Sequence, residues 1–417
     1  MKNNIYKVLL VCFILFFIPV FIYADYKLIE EDLYFSNFTT PTLSNVNEHP
    51  KINARHAVIF DRNSKTIIYG KKEFEKCKMA STTKIMTAII VIENSNLDDI
   101  VSVSQKSAKT GGSRLGLSKN DRVSVKHLLY GLMMKSGNDA AVALAEHTGG
   151  NIENFAIMMN KKAKALNLFN TNFVTPHGLD NEKHFTTALD LAILSDYAMQ
   201  NEIFANIVNT KSFTILINNH SKTISNTNEL LGNYKGLYGI KTGFTNGANR
   251  CLVTACKRGS LDFICVVLGC DTKKHRTLDS INLLDYAFNN YSLFNVEKFI
   301  REEFDKWYVS HRRSFYINKG KSQELNLSLN ENDFIFSNIA VKNTEKENFY
   351  VEIFFNSYLN APISEYTQIG RIVLFNNNKA YYSVSIQPSN KINKKYIFDY
   401  LSYFIKNYFY FFAKSPI

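Results

Sequence analysis

The sequence predicts an α/β domain, one antiparallel sheet with clustered helices, followed by a smaller β-rich domain and a C-terminal amphipathic helix. Three patterns carry this expectation. Apolar, strand-like runs flank a helix-rich middle. Short alternating runs take over from about residue 296. The chain then closes on apolar side chains repeated at helical spacing.

The first element is a leader. Residues 1–7 carry Lys2 and Lys7 and no acid, and an unbroken apolar run from Val8 to Tyr23 ends at Ala24. That is the charge and core of a secretory signal, residues 1–24. The alternative is an uncleaved anchor, but a run of about 16 residues is shorter than the roughly 20 that span a bilayer. Residues 25–50 are polar and irregular, with Pro41 and Pro50, and read as a linker.

A first domain is expected over residues 51–293. Two short strands lie in 56–69, around the turn Asp61-Arg62-Asn63-Ser64. A helix over 81–93 is apolar almost all round (Ile85, Met86, Ala88, Ile89, Ile90, Ile92) and so should be buried. Further helices start near Ser124, Asp139, Asn151 and Thr186, with Gly149-Gly150 ending the Ala-rich one. Residues 236–240 are strand-like and lead into Lys241. Two apolar runs, 251–256 and 263–268, form a hairpin through Lys257-Arg258-Gly259-Ser260. These strands should join the first two in one sheet, with a helix over 278–291 on its face.

A small β-sandwich is expected over 296–388, from runs at 307–318, 325–329, 349–355, 371–375 and 379–386, the last two joined by Asn376-Asn377-Asn378. It holds no catalytic motif and reads as a spacer or as a partner-binding module. In the last segment, 391–417, Phe398, Leu401, Ile405, Tyr408 and Phe412 share one helical face. Asp399, Ser402, Lys406 and Asn407 interrupt any full span. Lys391, Lys394, Lys395 and Lys414 suit anionic headgroups, so the helix is expected to lie in a membrane interface. The alternative is a helix docked on the protein's own core.

Three strings carry chemistry: Ser81-Thr82-Thr83-Lys84, Ser136-Gly137-Asn138 and Lys241-Thr242-Gly243. A serine hydroxyl needs a base to become a nucleophile at neutral pH. Lys84 lies one turn beyond Ser81, so both side chains leave one helix face. Burial and a second cation, such as Lys241, would strip the Lys84 proton and make it that base. Taken alone, the pair reads better as a helix cap and a surface-seeking lysine; the other two strings reverse that. Ser136 and Asn138 sit in a break between helices, where a hydroxyl can relay a proton and an amide can hold substrate and orient Lys84. Gly243 clears a strand edge for a ligand backbone, and Lys241 and Thr242 offer a charge and a hydroxyl to a carboxylate.

Set in order, the strings resemble those of serine enzymes of the penicillin-binding type. The longer contexts are Met79-Ala-Ser-Thr-Thr-Lys-Ile-Met-Thr87, Lys135-Ser-Gly-Asn-Asp-Ala-Ala141, Pro176-His-Gly-Leu-Asp180 and Lys241-Thr-Gly-Phe-Thr245. With them the chain resembles the low-molecular-weight penicillin-binding proteins, the D-alanyl-D-alanine carboxypeptidases of serine peptidase family S11, from about Ala54 to Tyr291. The resemblance implies a β-lactamase/transpeptidase-like domain that removes the terminal D-alanine from peptidoglycan stem pentapeptides through an acyl-enzyme. It implies catalytic roles for Ser81, Lys84 and Ser136, and substrate-binding roles for Asn138, Lys241, Thr242 and Gly243. The oxyanion hole would use the backbone N–H groups of Ser81 and Phe244. Phe244 stands where some relatives carry His, but only its main chain is asked to act. Arg276 matches the arginine that helps bind the terminal carboxylate. No metal or organic cofactor is implied, and His147, His177 and His184 show no metal-ligand spacing. His177 reads as part of a turn. β-Lactams should act as covalent inhibitors that leave slowly, because no E-x-x-L-N string lies between Asn138 and Lys241.

Composition agrees with an extracytoplasmic, membrane-associated protein secreted across the cytoplasmic membrane. The 417 residues suffice for two domains, and the net charge of +12 suits anionic lipids and wall polymers. No compact basic-aromatic motif suggests nucleic acid. Of six cysteines, Cys12 lies in the leader. The others, Cys77, Cys251, Cys256, Cys265 and Cys270, read as small buried side chains, with a Cys77–Cys251 bond as the alternative.

Overall fold

The computed structural model describes residues 50–413, and side chains as far as Tyr408. The expected signal and most of the linker lie outside the described residues. Five antiparallel strands form the central sheet, in the order Thr66–Lys71, His56–Asp61, Leu261–Cys270, Asn249–Arg258 and Leu237–Thr245. The first two and last three strands come from opposite ends of the domain, and the helices lie between them in sequence. The strand 261–270 is buried from Asp262 to Cys270, which requires cover on both faces. One face packs on the helical core around Ile85, Met86 and Ile89. The other packs under the helix Lys273–Asn290, through Leu283, Leu284 and Ala287.

The helix starts are set by side-chain caps. Ser124, Asn151 and Thr187 each accept a backbone N–H two or three residues into their helices, from His127, Asn154 and Asp190. Thr272 does the same for His275 N–H, so the covering helix begins five residues before the expected Leu278. The expected helix at Ser81 also differs. Residues Ala80–Thr83 form a 3-10 turn, and the α-helix proper is Lys84–Asn94. Ala80, just before Ser81, has φ +48°. That left-handed residue bends the chain sharply and turns Ser81 out of the helix axis.

The β-rich part contains a four-stranded antiparallel sheet, Leu327–Leu329, Lys379–Pro388, Gly370–Asn376 and Phe349–Phe355 in spatial order. Asn377 and Asn378 both have positive φ, 50° and 63°, as a tight hairpin turn needs. The expected run 307–318 is not one strand. Its first part, as far as His311, belongs to the helix Val296–His311, and only Tyr316–Asn318 is extended. Val296, Ile300 and Phe304, spaced by four, bury against the sheet, so helical period prevailed over a β-prone aromatic run. The strands Tyr291–Asn295 and Asn338–Lys342 pair across the two regions. The buried Asp61 carboxylate accepts Ala340 N–H at 3.3 Å.

The last helix is Ile397–Ala413. Its expected apolar face is bare: Phe398 is 78% and Leu401 53% exposed, so the alternative of docking on the core is set aside. Among the described residues no helix is long and apolar enough to cross a membrane. The five described cysteines are free thiols, and the Cys77–Cys251 bond is not formed.

Candidate active site

The three strings meet. Ser81 lies in the 3-10 turn, Lys84 opens the helix behind it, and Asn138 opens the helix Asn138–Gly149. Lys84 is fully buried, and its Nζ has three oxygen neighbours: Ser81 Oγ at 2.8 Å, Asn138 Oδ1 at 2.7 Å and the His177 carbonyl at 2.9 Å. The Asn138 amide is oriented by its other end, since Nδ2 donates to Gly111 O at 2.7 Å. Its oxygen must therefore face Lys84. Two of the three neighbours can only accept. A neutral amine has two N–H bonds and one lone pair. Both N–H bonds go to Asn138 and His177, and the lone pair is left facing the Ser81 hydroxyl.

Burial favours that neutral form. It holds the Lys84 pKa well below the ordinary lysine value, the positive charge of Lys241 lowers it further, and Asp139 opposes both. Lys241 is itself only 1% exposed, and burial, with the Arg276 charge second, brings its pKa down to about 7. Its Nζ donates to Thr242 O at 2.9 Å. Thr242 Oγ1 lies 2.8 Å from Thr227 Oγ1.

Gly243 is where the edge strand Leu237–Thr245 touches the serine turn. A Cβ there would lie 3.1 Å from both Ser81 N and the Ala80 side chain. The glycine thus lets the edge strand and the serine turn approach closely. The Phe244 ring is 46% exposed and stacks under the Arg250 guanidinium at 3.7 Å. Ser136 is buried with φ +62°. Arg276 is also buried, and its Nε has no partner among the described residues. An unpaired donor beside Lys241 is what a carboxylate would meet.

Three features were missed in the sequence. Asp139 is fully buried, and its carboxylate accepts the backbone N–H groups of Leu115, Gly116 and Leu117 at 2.8, 2.8 and 3.0 Å. It fixes the loop whose Gly111 and Ser113 carbonyls hold Asn138. The His177 carbonyl is the second acceptor for Lys84. The ring of His177 is pushed down to about 3, by burial first, and stays neutral. His184 Nε2 lies 2.8 Å from Thr83 Oγ1, inside the nucleophile turn. The backbone role of His177 leaves no residue-type signal; only the string Pro176-His-Gly-Leu-Asp180 pointed there.

A serine aligned on a buried lysine of lowered pKa, beside a cationic strand edge, defines a serine acyl-transfer enzyme. A family model for D-alanyl-D-alanine carboxypeptidase (peptidase S11) matches residues 43–272, and one for the penicillin-binding protein 5 C-terminal domain matches residues 313–394. The chain belongs to the D-alanyl-D-alanine carboxypeptidase family. It is 33% identical to the carboxypeptidase DacF of Bacillus subtilis over 77% of this chain and 81% of that protein. With DacA of Haemophilus influenzae the identity is 31%, over 84% and 88%. The crystal structure of penicillin binding protein 5 from Haemophilus influenzae superposes with a TM-score of 0.68 at 27% identity, covering 85% of this chain and all of that one. The Streptomyces K15 DD-transpeptidase superposes with a TM-score of 0.56 at 34% identity, over 58% of this chain and 99% of that one.

Gly178 tests the packing of the site. It has φ +84°, and a Cβ would fall 1.9 Å from Ala80 O. Gly178→Ala should cost about 2–4 kcal/mol through the clash and the left-handed backbone together. Thermal melting of the purified variant checks this.

Proposed function

We propose that this member of the family removes the terminal D-alanine from peptidoglycan stem pentapeptides through an ester on Ser81. The observation that carries the proposal is the Lys84 amine, buried and aimed at Ser81 Oγ at 2.8 Å with its other two bonds committed to acceptors. The substrate lies antiparallel to the open side of the strand Leu237–Thr245. Its terminal carboxylate meets Lys241, Thr242 and Arg276. Lys84 takes the Ser81 proton as Oγ attacks the D-Ala-D-Ala carbonyl. The developing oxyanion is held by the N–H groups of Ser81 and Phe244. Ser136 relays that proton from Lys84 to the leaving D-alanine nitrogen, which returns Lys84 to its neutral form, while Asn138 holds the substrate amide. Water then enters where D-alanine left, gives a proton back through Lys84 and releases the shortened peptide. The same acyl-enzyme can instead pass to an amine. The likeness to a Streptomyces DD-transpeptidase favours that second reading, in which only the acceptor differs.

We further propose that the protein works outside the cytoplasmic membrane, delivered by residues 1–24 and held on the membrane surface by the helix Ile397–Ala413. The bare aromatic face of that helix and the lysines before it support this reading. The β-rich region over 296–388 then serves as a spacer between membrane and catalytic domain.

Incubation with a stem pentapeptide should yield tetrapeptide and free D-alanine by mass, and fluorescent penicillin should label the protein. Ser81→Ala should abolish both, while rapid penicillin turnover by the wild type would point to a β-lactamase. The pH profile of kcat/KM follows from the two lysines. Lys84 acts neutral, so activity is lost as pH falls through its depressed pKa. Lys241 acts charged, so activity declines as pH rises past about 7 in the free enzyme. Lys241→Arg should remove the alkaline limb, because a guanidinium keeps its proton. Truncation after Asn390 should move the protein from the membrane pellet to the soluble fraction; unchanged partition rejects the anchor.

A further inference from the structure

The two halves of the proposed oxyanion hole lie on different elements. Ser81 N–H belongs to the turn Ala80–Thr83, and Phe244 N–H to the end of an edge strand. That strand pairs on one side only, through Phe244 with Arg250 and Thr245 with Asn249. The tip of the hairpin, 245–249, needs some other tie to hold Phe244 in place relative to Ser81.

Asp180 is that tie. Its Oδ1 accepts the Thr245 hydroxyl at 2.7 Å, and its Oδ2 accepts Gly247 N–H at 2.9 Å. Thr245 Oγ1 in turn accepts Ala248 N–H at 3.0 Å, so its single proton is committed to Asp180. The other end of the same short loop is fixed to the serine. Pro176 O accepts the Thr87 hydroxyl at 2.6 Å, and His177 O accepts from Lys84 at 2.9 Å. Gly178 lies directly under Ala80 O, where no Cβ fits. Between Gly178 and Asp180 there is one residue. The loop is therefore a short strut, with one end against the nucleophile turn and the other on the strand tip that follows Phe244.

We infer that Asp180 is a positioning residue for the oxyanion hole, acting through Thr245 and Gly247 to set the distance between the Phe244 and Ser81 N–H groups. It rests on the roles proposed above for Ser81 and Phe244. Asp180 need not touch substrate. A carboxylate suits the place because it offers two acceptors to two donors, a hydroxyl and an N–H, and charge-assisted bonds hold geometry more firmly than neutral ones. Loss of an oxyanion donor costs about 100- to 1,000-fold in turnover, and a displaced donor loses part of that.

The test uses the full chain and four variants: Asp180→Ala, Thr245→Val, Thr245→Ser and the double variant Asp180→Ala with Thr245→Val. Penicillin acylation rate, kcat and KM on a stem pentapeptide, and affinity for a boronic acid that forms a tetrahedral adduct with the serine are measured beside Tm. Asp180→Ala and Thr245→Val should each slow acylation about 10-fold or more and weaken the boronate in parallel, with KM within about twofold. Thr245→Ser keeps the hydroxyl and should stay within about twofold of the wild type. The double variant should be no slower than about the worse single variant, because both single variants break the shared Asp180–Thr245 bond. The inference is overturned if Asp180→Ala acylates at the wild-type rate, if KM rises while kcat holds, or if Thr245→Ser is as slow as Thr245→Val. It is also overturned if the loss follows the unfolded fraction given by Tm. A wild-type chain that takes no penicillin label overturns the assignment of Ser81 itself, an outcome no variant can mimic.

Discussion

A single buried amine organises this molecule. Lys84 has no access to water, and a charge there would need three acceptors. The site supplies two that cannot donate, the Asn138 amide oxygen and the His177 carbonyl, and one hydroxyl that can do either. That set suits a charged amine donating three bonds or a neutral one accepting from Ser81, and it is burial first, then the Lys241 charge, that favours the neutral base.

Each partner of the amine is held by a different part of the chain. Asn138 is held by the loop that Asp139 caps, through Gly111 O on its side chain and Ser113 O on its backbone N–H. His177 O is held by a loop pinned at Thr87, Ala80 and Thr245. The edge strand reaches Ser81 only because residue 243 lacks a side chain. Strained backbone collects where these parts meet: Ala80, Ser136 and Gly178 all have positive φ, at 48°, 62° and 84°. Such conformations persist where surrounding contacts over-determine them, and here those contacts are the site.

Much of this was legible in the sequence, and the reasons are specific. Residues whose side chains act are readable, because chemistry restricts their type: Ser81, Lys84, Asn138 and Lys241 are such residues. The two-ended sheet was readable because its strands are apolar runs bounded by turn residues. What the sequence hid acts through the main chain or through packing. The carbonyl of His177 is the same for any residue type. The left-handed bend at Ala80 is carried by a residue with no preference for it. The helix Val296–His311 was hidden by its aromatic content, although Val296, Ile300 and Phe304 show the period once it is sought.

The charge balance of the site also bears on how it works. Lys241 and Arg276 are both buried; the Arg276 charge makes the Lys241 charge harder to keep, and burial, with Arg250 as the nearby cation, does the same to Arg276. Arg276 has Glu229 as an opposing charge, but its Nε points at nothing among the described residues. A protein would ordinarily not retain two crowded cations with a donor unpaired. On the function proposed above, a substrate carboxylate would offset both charges and accept from that donor. On that reading a bound terminal carboxylate would hold the charge on Lys241, and a charged Lys241 lowers the Lys84 pKa, which would tie the chemistry at Ser81 to substrates that end in a free acid.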